Sequence, residues 1–164
     1  SEEKCRYAVD ELGFDACFSR KEKLDENFKH YFPDGIDVNF ENVGGDIFWH
    51  AFRNMNLCGR IIVCGFVSQY NQEKYSTARD ESLTLLRGLV VKRVQMHGLL
   101  VYDWKHLYQE FHANVTKWIN EGAIKYRVDI VDGLDNAVAA FQGLLEGKNF
   151  GKLVVRVRDD PTVK

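Results

Sequence analysis

Two stretches of this chain carry residue types that could hold and work on a polar small molecule. They are Phe40-Glu41-Asn42-Val43-Gly44-Gly45 and Cys64-Gly65-Phe66-Val67-Ser68-Gln69-Tyr70-Asn71. Between them they offer a side-chain amide, backbone left open by glycine, a hydroxyl and a phenol. Each follows an apolar run that reads as a parallel strand, and an open α/β sheet binds its ligand beyond the carboxyl ends of its strands. A phenol there can donate a hydrogen bond to an oxygen that gains negative charge during a reaction. The amide of Asn42 can serve a sugar hydroxyl or the backbone. Residue type alone also fits a plain Asn-Val-Gly-Gly turn and a tyrosine that merely packs at a loop end.

Other chemistries find less support. The five histidines have no ligand spacing, and His106 and His112 stand six apart, too far round a helix to face each other. No metal site is expected. The cysteines Cys5, Cys17, Cys58 and Cys64 form no C-x-x-C pair, which excludes a tetra-cysteine zinc lobe and reads as free thiols in a reducing cytoplasm. No serine–histidine–acid set stands out. A net charge of −2 gives no electrostatic footing for nucleic acid. No apolar run reaches the roughly 20 residues that span a bilayer. Ser1-Glu2-Glu3-Lys4 lacks the apolar core of a signal peptide.

The elements that must position the two stretches can be read from periodicity. With 164 residues, 45% hydrophobic and 28% charged, the chain has material for about one α/β domain. Cys5, Ala8, Val9 and Leu12 form a helical stripe stopped by Gly13, and Ala16–Ser19 reads as a short strand. Leu24, Phe28, Tyr31 and Phe32 predict a helix closed by Pro33-Asp34-Gly35. Ile36, Val38 and Phe40 alternate with Asp37 and Asn39, which predicts a strand wet on the Asp/Asn face. Asp46 is placed to cap a helix with Ile47, Phe48, Ala51, Phe52 and Met55 on one side. Ile61-Ile62-Val63-Cys64 reads as a strand covered on both faces. A polar loop over 69–79 leads to a helix near Ser82–Val91 and a strand over Val94–Val101. Trp104, Leu107, Phe111, Val115, Trp118 and Ile119 mark a long helix ending near Gly122. Beyond it, Tyr126, Val128 and Ile130 alternate as a half-exposed strand. Asp135 is placed to cap a helix with Val138, Phe141, Leu144 and Leu145 inside, and Leu153–Val157 is the last strand. Strand–helix alternation argues for a parallel, doubly wound sheet.

Taken in order, Glu3-Lys4-Cys5, Leu12-Gly13-Phe14-Asp15, Pro33-Asp34-Gly35-Ile36-Asp37, Phe40–Gly45, Cys64–Asn71, Gly122-Ala123-Ile124-Lys125-Tyr126, Gly133-Leu134-Asp135-Asn136 and Asn149-Phe150-Gly151-Lys152 form a specific set. The set resembles the carboxyl-terminal half of the zinc-independent medium-chain dehydrogenases/reductases, in the group of prostaglandin reductases, leukotriene B4 dehydrogenases and curcumin reductases. Whole enzymes of that group are about twice as long, with two domains. The resemblance implies a partial Rossmann sheet over residues 1–121, without its glycine loop and first strands, and a segment 122–164 that returns to the substrate domain. No G-x-G-x-x-G loop occurs here, and in the usual strand order 3-2-1-4-5-6 the two central strands would be missing. The stretch alone is therefore expected to be inactive.

The same resemblance implies roles for residues. Lys4 matches a lysine that meets the 2′-phosphate of NADP, although a solvated helix lysine is the ordinary fate of the type. Arg20 stands where the group often has tyrosine, so it departs from the pattern; it could stack on adenine, pair with the phosphate, or lie on the surface. Asn42 matches the asparagine of the nucleotide-binding turn. Cys64, Gly65, Phe66, Val67, Ser68 and Tyr70 match the loop along the nicotinamide half, and Tyr70 is the residue expected to act in chemistry. Leu99, Leu100 and Val101 match backbone positions near the carboxamide, or are strand core. Asn149 matches a cofactor-contacting asparagine. The implied activity is NADPH-dependent reduction of the carbon–carbon double bond of an α,β-unsaturated ketone or aldehyde, with hydride delivered to the β-carbon. The enolate oxygen would be held by the ribose 2′-hydroxyl and Tyr70. The implied partners are a small enone and a second copy of the chain, paired through the Val94–Val101 strand. A quinone reductase of the same superfamily, or a catalytically silent binding module, are the competing readings.

Overall fold

The computed structural model describes residues 1–21, 23–70 and 81–159. Its contacts divide the chain into two compact units. One runs over Phe18–Tyr108; the other joins Ser1–Cys17 to the stretch from Gln109 onward. They are called here, by chain order, the middle and the terminal unit.

The middle unit is a run of β–α–β turns. Helix α2 (Leu24–Tyr31) buries Phe28 and carries Asp25 and Glu26 in its first turn, Lys29 and His30 in its last, the charge order that suits a helix dipole. Strand β1 (Ile36–Glu41), helix α3 (Gly45–Arg53), strand β2 (Met55–Val63), helix α4 (Ser82–Lys92) and strand β3 (Gln95–Gly98) follow. The three strands pair in parallel in the order β1-β2-β3. Phe28, Ile36, Ala51, Phe52, Met55, Ile61 and Val94 make the core, with Ile61 fully buried. Gly88 lets α4 come down on the Phe52 ring, where a β-carbon would collide. That contact offsets the roughly 1 kcal/mol that glycine costs inside a helix. Lys92 then ties the end of α4 to the carbonyls of Arg53 and Met55, 2.8 Å from each.

The terminal unit holds helix α1 (Glu2–Asp10), helix α5 (Tyr108–Asn120) from its second residue, and a parallel pair, β4 (Val128–Asp132) and β5 (Lys152–Arg156). Helix α6 (Ala137–Leu145) is the crossover between the two strands.

Several sequence expectations need correction. Ala16–Ser19 is no strand: among the described residues no ladder pairs with it, and Phe18 is instead drawn into an aromatic cluster with Phe28, Tyr31 and Phe32. The apolar side of β1 is buried only at Ile36. Val38 and Phe40 are exposed beside an open groove, while Glu41 turns inward. Gly44, not Asp46, caps α3, because its positive φ makes the sharp entry that an aspartate there would resist. Val94–Val101 forms a strand only over Gln95–Gly98 and then breaks into a 3-10 turn, Val101–Leu107. The long helix begins only at Tyr108, since Trp104 leaves helical geometry. Asp135 makes no cap bond to α6, and Val138, Phe141, Leu144 and Leu145 are exposed rather than inside. The polar loop lies outside the described residues from Asn71 to Arg79.

Candidate cofactor site at the strand ends

The site starts from register. Glu41 stands opposite Val63, and Val63 opposite Gly98. Three parallel strands therefore end level, and the segments that follow them leave from one edge of the sheet. The first two are joined by backbone hydrogen bonds. The Glu41 carbonyl accepts from the amides of Cys64 (2.8 Å) and Gly65 (3.2 Å), the Asn42 carbonyl from Val67 (3.0 Å), and the Val43 carbonyl from Ser68 (2.9 Å). On the far side, the Leu99 amide donates to Val63 at 2.9 Å. Leu99 thus lies beside the Cys64 turn, with Leu100 and Val101 exposed beyond it.

The side chains use this frame. The Glu41 carboxylate, 6% exposed, folds back on its own turn and accepts from the amides of Val43 at 2.5 Å and Gly44 at 2.7 Å. Asn39 donates to its other oxygen at 3.4 Å. Gly44 has φ 73° and ψ −167°, a region open in practice only to glycine. A β-carbon there would stand 3.2 Å from Cβ of Phe66 and 3.3 Å from Oγ of Ser68, so the turn also needs glycine for the close approach of the second loop. Val67–Gln69 is a single 3-10 turn, and Tyr70 closes it with a 3.3 Å bond to the Val67 carbonyl. The Tyr70 ring meets Phe66 edge to face, 5.6 Å between centroids, and is largely exposed. Gly65 lies between the side chains of Tyr70 and Asn42. A β-carbon on it would be 3.4 Å from the Tyr70 hydroxyl, 3.6 Å from the Asn42 carbonyl and 3.7 Å from the Asn42 amide oxygen. Asn42, Cys64, Gly65, Phe66, Val67, Ser68, Tyr70 and Leu99 are thus brought together.

Lys4 and Asn149 belong to the terminal unit, and Arg20 to the segment before α2. Lys4, on α1 of the terminal unit, donates from Nζ to the Gly147 carbonyl at 2.9 Å. Asn149 is in the same turn and donates to the Gly151 carbonyl at 2.7 Å. That turn is held to β4 by Asp129, which accepts from the Phe150 amide. The Phe150 and Gly151 amides, then Arg127 and Lys4, hold the Asp129 carboxyl below the usual carboxylate range. Arg127 covers the Phe150 ring at 3.9 Å. Arg20 is exposed on the segment leading to α2, and among the described residues no hydrogen bond or ion pair joins it to Asn42 or Tyr70. Among the described residues, no group of three or more His, Cys, Asp or Glu could hold a metal, and no helix is long and apolar enough to cross a membrane.

Glu41 was not singled out in the sequence. Its signal was its place: a carboxylate at the last position of a strand, directly before a turn rich in glycine.

A family described as zinc-binding dehydrogenase matches residues 12–155. The chain belongs to that family. Its relatives include curcumin and alkenal reductases. It is 41% identical to the NADPH-dependent curcumin reductase of Escherichia coli over 160 residues, 96% of this chain and 46% of that protein. It is 43% identical to the NADP-dependent 2-alkenal reductase of Nicotiana tabacum over 159 residues, 96% of this chain and 45% of that one. Among solved structures, CurA of Vibrio vulnificus in complex with NADPH superposes with a TM-score of 0.90 at 43% identity, over 98% of this chain and 48% of CurA. The chain spans about half the length of the relatives it matches, and its fold is the carboxyl-terminal, Rossmann-like half of theirs.

Proposed function

We propose that the whole protein uses NADPH to reduce the carbon–carbon double bond of α,β-unsaturated ketones and aldehydes. The observation that carries this reading is the gap at Gly65, held open between the Tyr70 hydroxyl and the Asn42 amide at the carboxyl ends of parallel strands. An added methyl would fill that cradle. Its amide, phenol and exposed backbone suit the ribose–nicotinamide end of a dinucleotide, and relatives of this chain are named for NADPH-dependent curcumin and alkenal reduction.

When bound, the dinucleotide supplies hydride to the β-carbon of the enone. The rest falls to the chain. Asn42 orients the ribose. The backbone of Cys64–Ser68 and of Leu99–Val101 lines the nicotinamide and its carboxamide. Tyr70 donates a hydrogen bond to the substrate oxygen as enolate charge grows there, the kind of charge-directed contact that acts most in the transition state. Lys4 binds the 2′-phosphate by exchanging its Gly147 bond for an anion, Asn149 contacts the cofactor from the same turn, and Arg20 reaches the adenine or the phosphate. Residues 1–121 act as the nucleotide domain and 122–164 return to the substrate domain. A homodimer forms through the outer edge of β3. Four free cysteines suit a cytoplasmic protein.

The test is a panel of enones and quinones offered to the whole protein with NADPH. Enones should be consumed with loss of NADPH. Preference for quinones, or no NADPH binding at all, would overturn the reading. Tyr70→Phe should lower kcat by roughly tenfold or more while changing the Kd for NADPH much less; equal turnover would remove Tyr70 from the chemistry.

A further inference from the structure

We infer that Glu41 is the positioning residue of this site: its buried carboxylate sets the turn that presents Asn42 and, through it, the loop that presents Tyr70. The inference rests on the reductase reading for its catalytic consequence but on geometry alone for the positioning.

Successive backbone amides that converge in a turn form an anion-binding concavity. In this chain that concavity, made by Val43 and Gly44, is filled from within by one carboxylate oxygen, at 2.5 and 2.7 Å. Bonds from neutral amides to a carboxylate are charge-assisted and stronger than neutral ones. The same residue's carbonyl holds the amides of Cys64 and Gly65. Glu41 is therefore bonded to both loops, by side chain to the first and by main chain to the second. The carbonyls of Asn42 and Val43, whose direction the carboxylate fixes, hold Val67 and Ser68. The 3-10 turn ending at Tyr70 begins at Val67. A chain of hydrogen bonds and short backbone links thus runs from the Glu41 carboxylate to the backbone amide of Tyr70, without the carboxylate itself touching the Tyr70 or Asn42 side chain.

The carboxylate is also placed where water does not compete. It is buried, so removing it leaves two amides in a dry site with no acceptor. Glutamine keeps one acceptor oxygen for both amides, and Asn39 can rotate its amide to meet the new nitrogen. Alanine keeps nothing.

The experiment compares E41A, E41Q, Y70F and E41A/Y70F in the whole protein. Three readouts apply: amide exchange at Val43 and Gly44 without ligand, NADPH affinity by fluorescence, and kcat on an enone. E41A should speed exchange at both amides at least tenfold, weaken NADPH about tenfold and lower kcat about tenfold. E41Q should recover most of each. E41A/Y70F should turn over no more slowly than the slower single variant, because both changes act through one phenol. Unchanged exchange in E41A, or kcat losses that multiply in the double variant, would overturn the proposal. A purely structural role predicts that multiplication. If E41A does not fold, E41Q exchange decides: rates equal to wild type at Val43 and Gly44, with tenfold-weaker NADPH, would reject positioning by these bonds. Exchange needs no substrate. If the wild type ignores enones, the reductase reading fails by itself and the positioning is still decided.

Discussion

Among the described residues, the middle unit buries seven apolar side chains and the terminal unit none. Both have parallel strands joined through a helix. What differs is cover. In the middle unit three strands share α3 and α4, and Phe52 and Ile61 are sealed between the layers. In the terminal unit β4 and β5 form only a pair, and Ile130, Phe141, Leu145 and Val154 remain exposed. A two-stranded sheet is marginal by itself, and contiguous apolar surface marks a face meant to be covered. The chain specifies its own packing in the middle unit alone. The candidate cradle lies wholly in that unit. Lys4 and Asn149 lie in the other.

The largest test of that contrast is in the core. Ile61→Ala should cost about 2–5 kcal/mol, since the side chain is fully buried. Val154→Ala, on the half-exposed face of β5, should cost less than about 1 kcal/mol in the same chain. Denaturant unfolding measured on both variants checks this. Comparable losses would mean that the terminal unit is sealed after all.

A smaller test compares two glycines of nearly equal φ. Gly44 has φ 73° and Gly147 φ 72°. At Gly44 a β-carbon meets Phe66 and Ser68; at Gly147 it meets nothing within 4 Å. Gly44→Ala should cost about 1–3 kcal/mol and weaken NADPH binding by the whole protein. Gly147→Ala should cost only the left-handed backbone penalty, about 1 kcal/mol. Calorimetric Tm values on the two variants decide it. A larger loss at Gly147 would show that crowding is not what separates the two sites.

How much of this was readable beforehand varies by residue. Strands β1 and β2 and the helix between them follow from alternation, a buried apolar run and the Gly44-Gly45 turn, all local signals. Asn42 and Tyr70 were legible because their positions past strand ends need only strand order, not coordinates. The wet side of β1 was not, because the exposure of Val38 and Phe40 depends on what covers that face and not on the strand's own alternation. Nor was the direction of the Glu41 carboxylate: a glutamate at a strand end reads as solvated until two amides are seen to receive it. The bond from Lys4 to Gly147 joins residues 143 apart, beyond any periodicity. In α6 the stripe Val138, Phe141, Leu145 was read correctly as apolar and wrongly as inside. The pattern specifies that a face wants cover, not what supplies it.

The smallest expected effect is in acid, and it should separate the units again. Among the described residues, the carboxyls held below their usual range are Asp129, by the Phe150 and Gly151 amides, and Asp132, by Arg156. Both lie on β4. A carboxyl depressed in the folded state adds stability that is present above its unfolded value, about 3.9, and lost as pH falls through the lower folded value. Lowering the pH from about 4 toward 2 should therefore loosen the β4–β5 pair before the β1–β2–β3 sheet. Asp132 is exposed and Asp129 half-buried, so solvent screening keeps the effect modest. Amide exchange along β2 and β5 across that range measures it. Asp129→Asn should flatten the acid response at β5 and leave β2 unmoved, because the asparagine oxygen still accepts from the backbone but no longer titrates. If β2 loses protection first, the acid-sensitive contacts are not those at Asp129 and Asp132, and the two units do not respond independently.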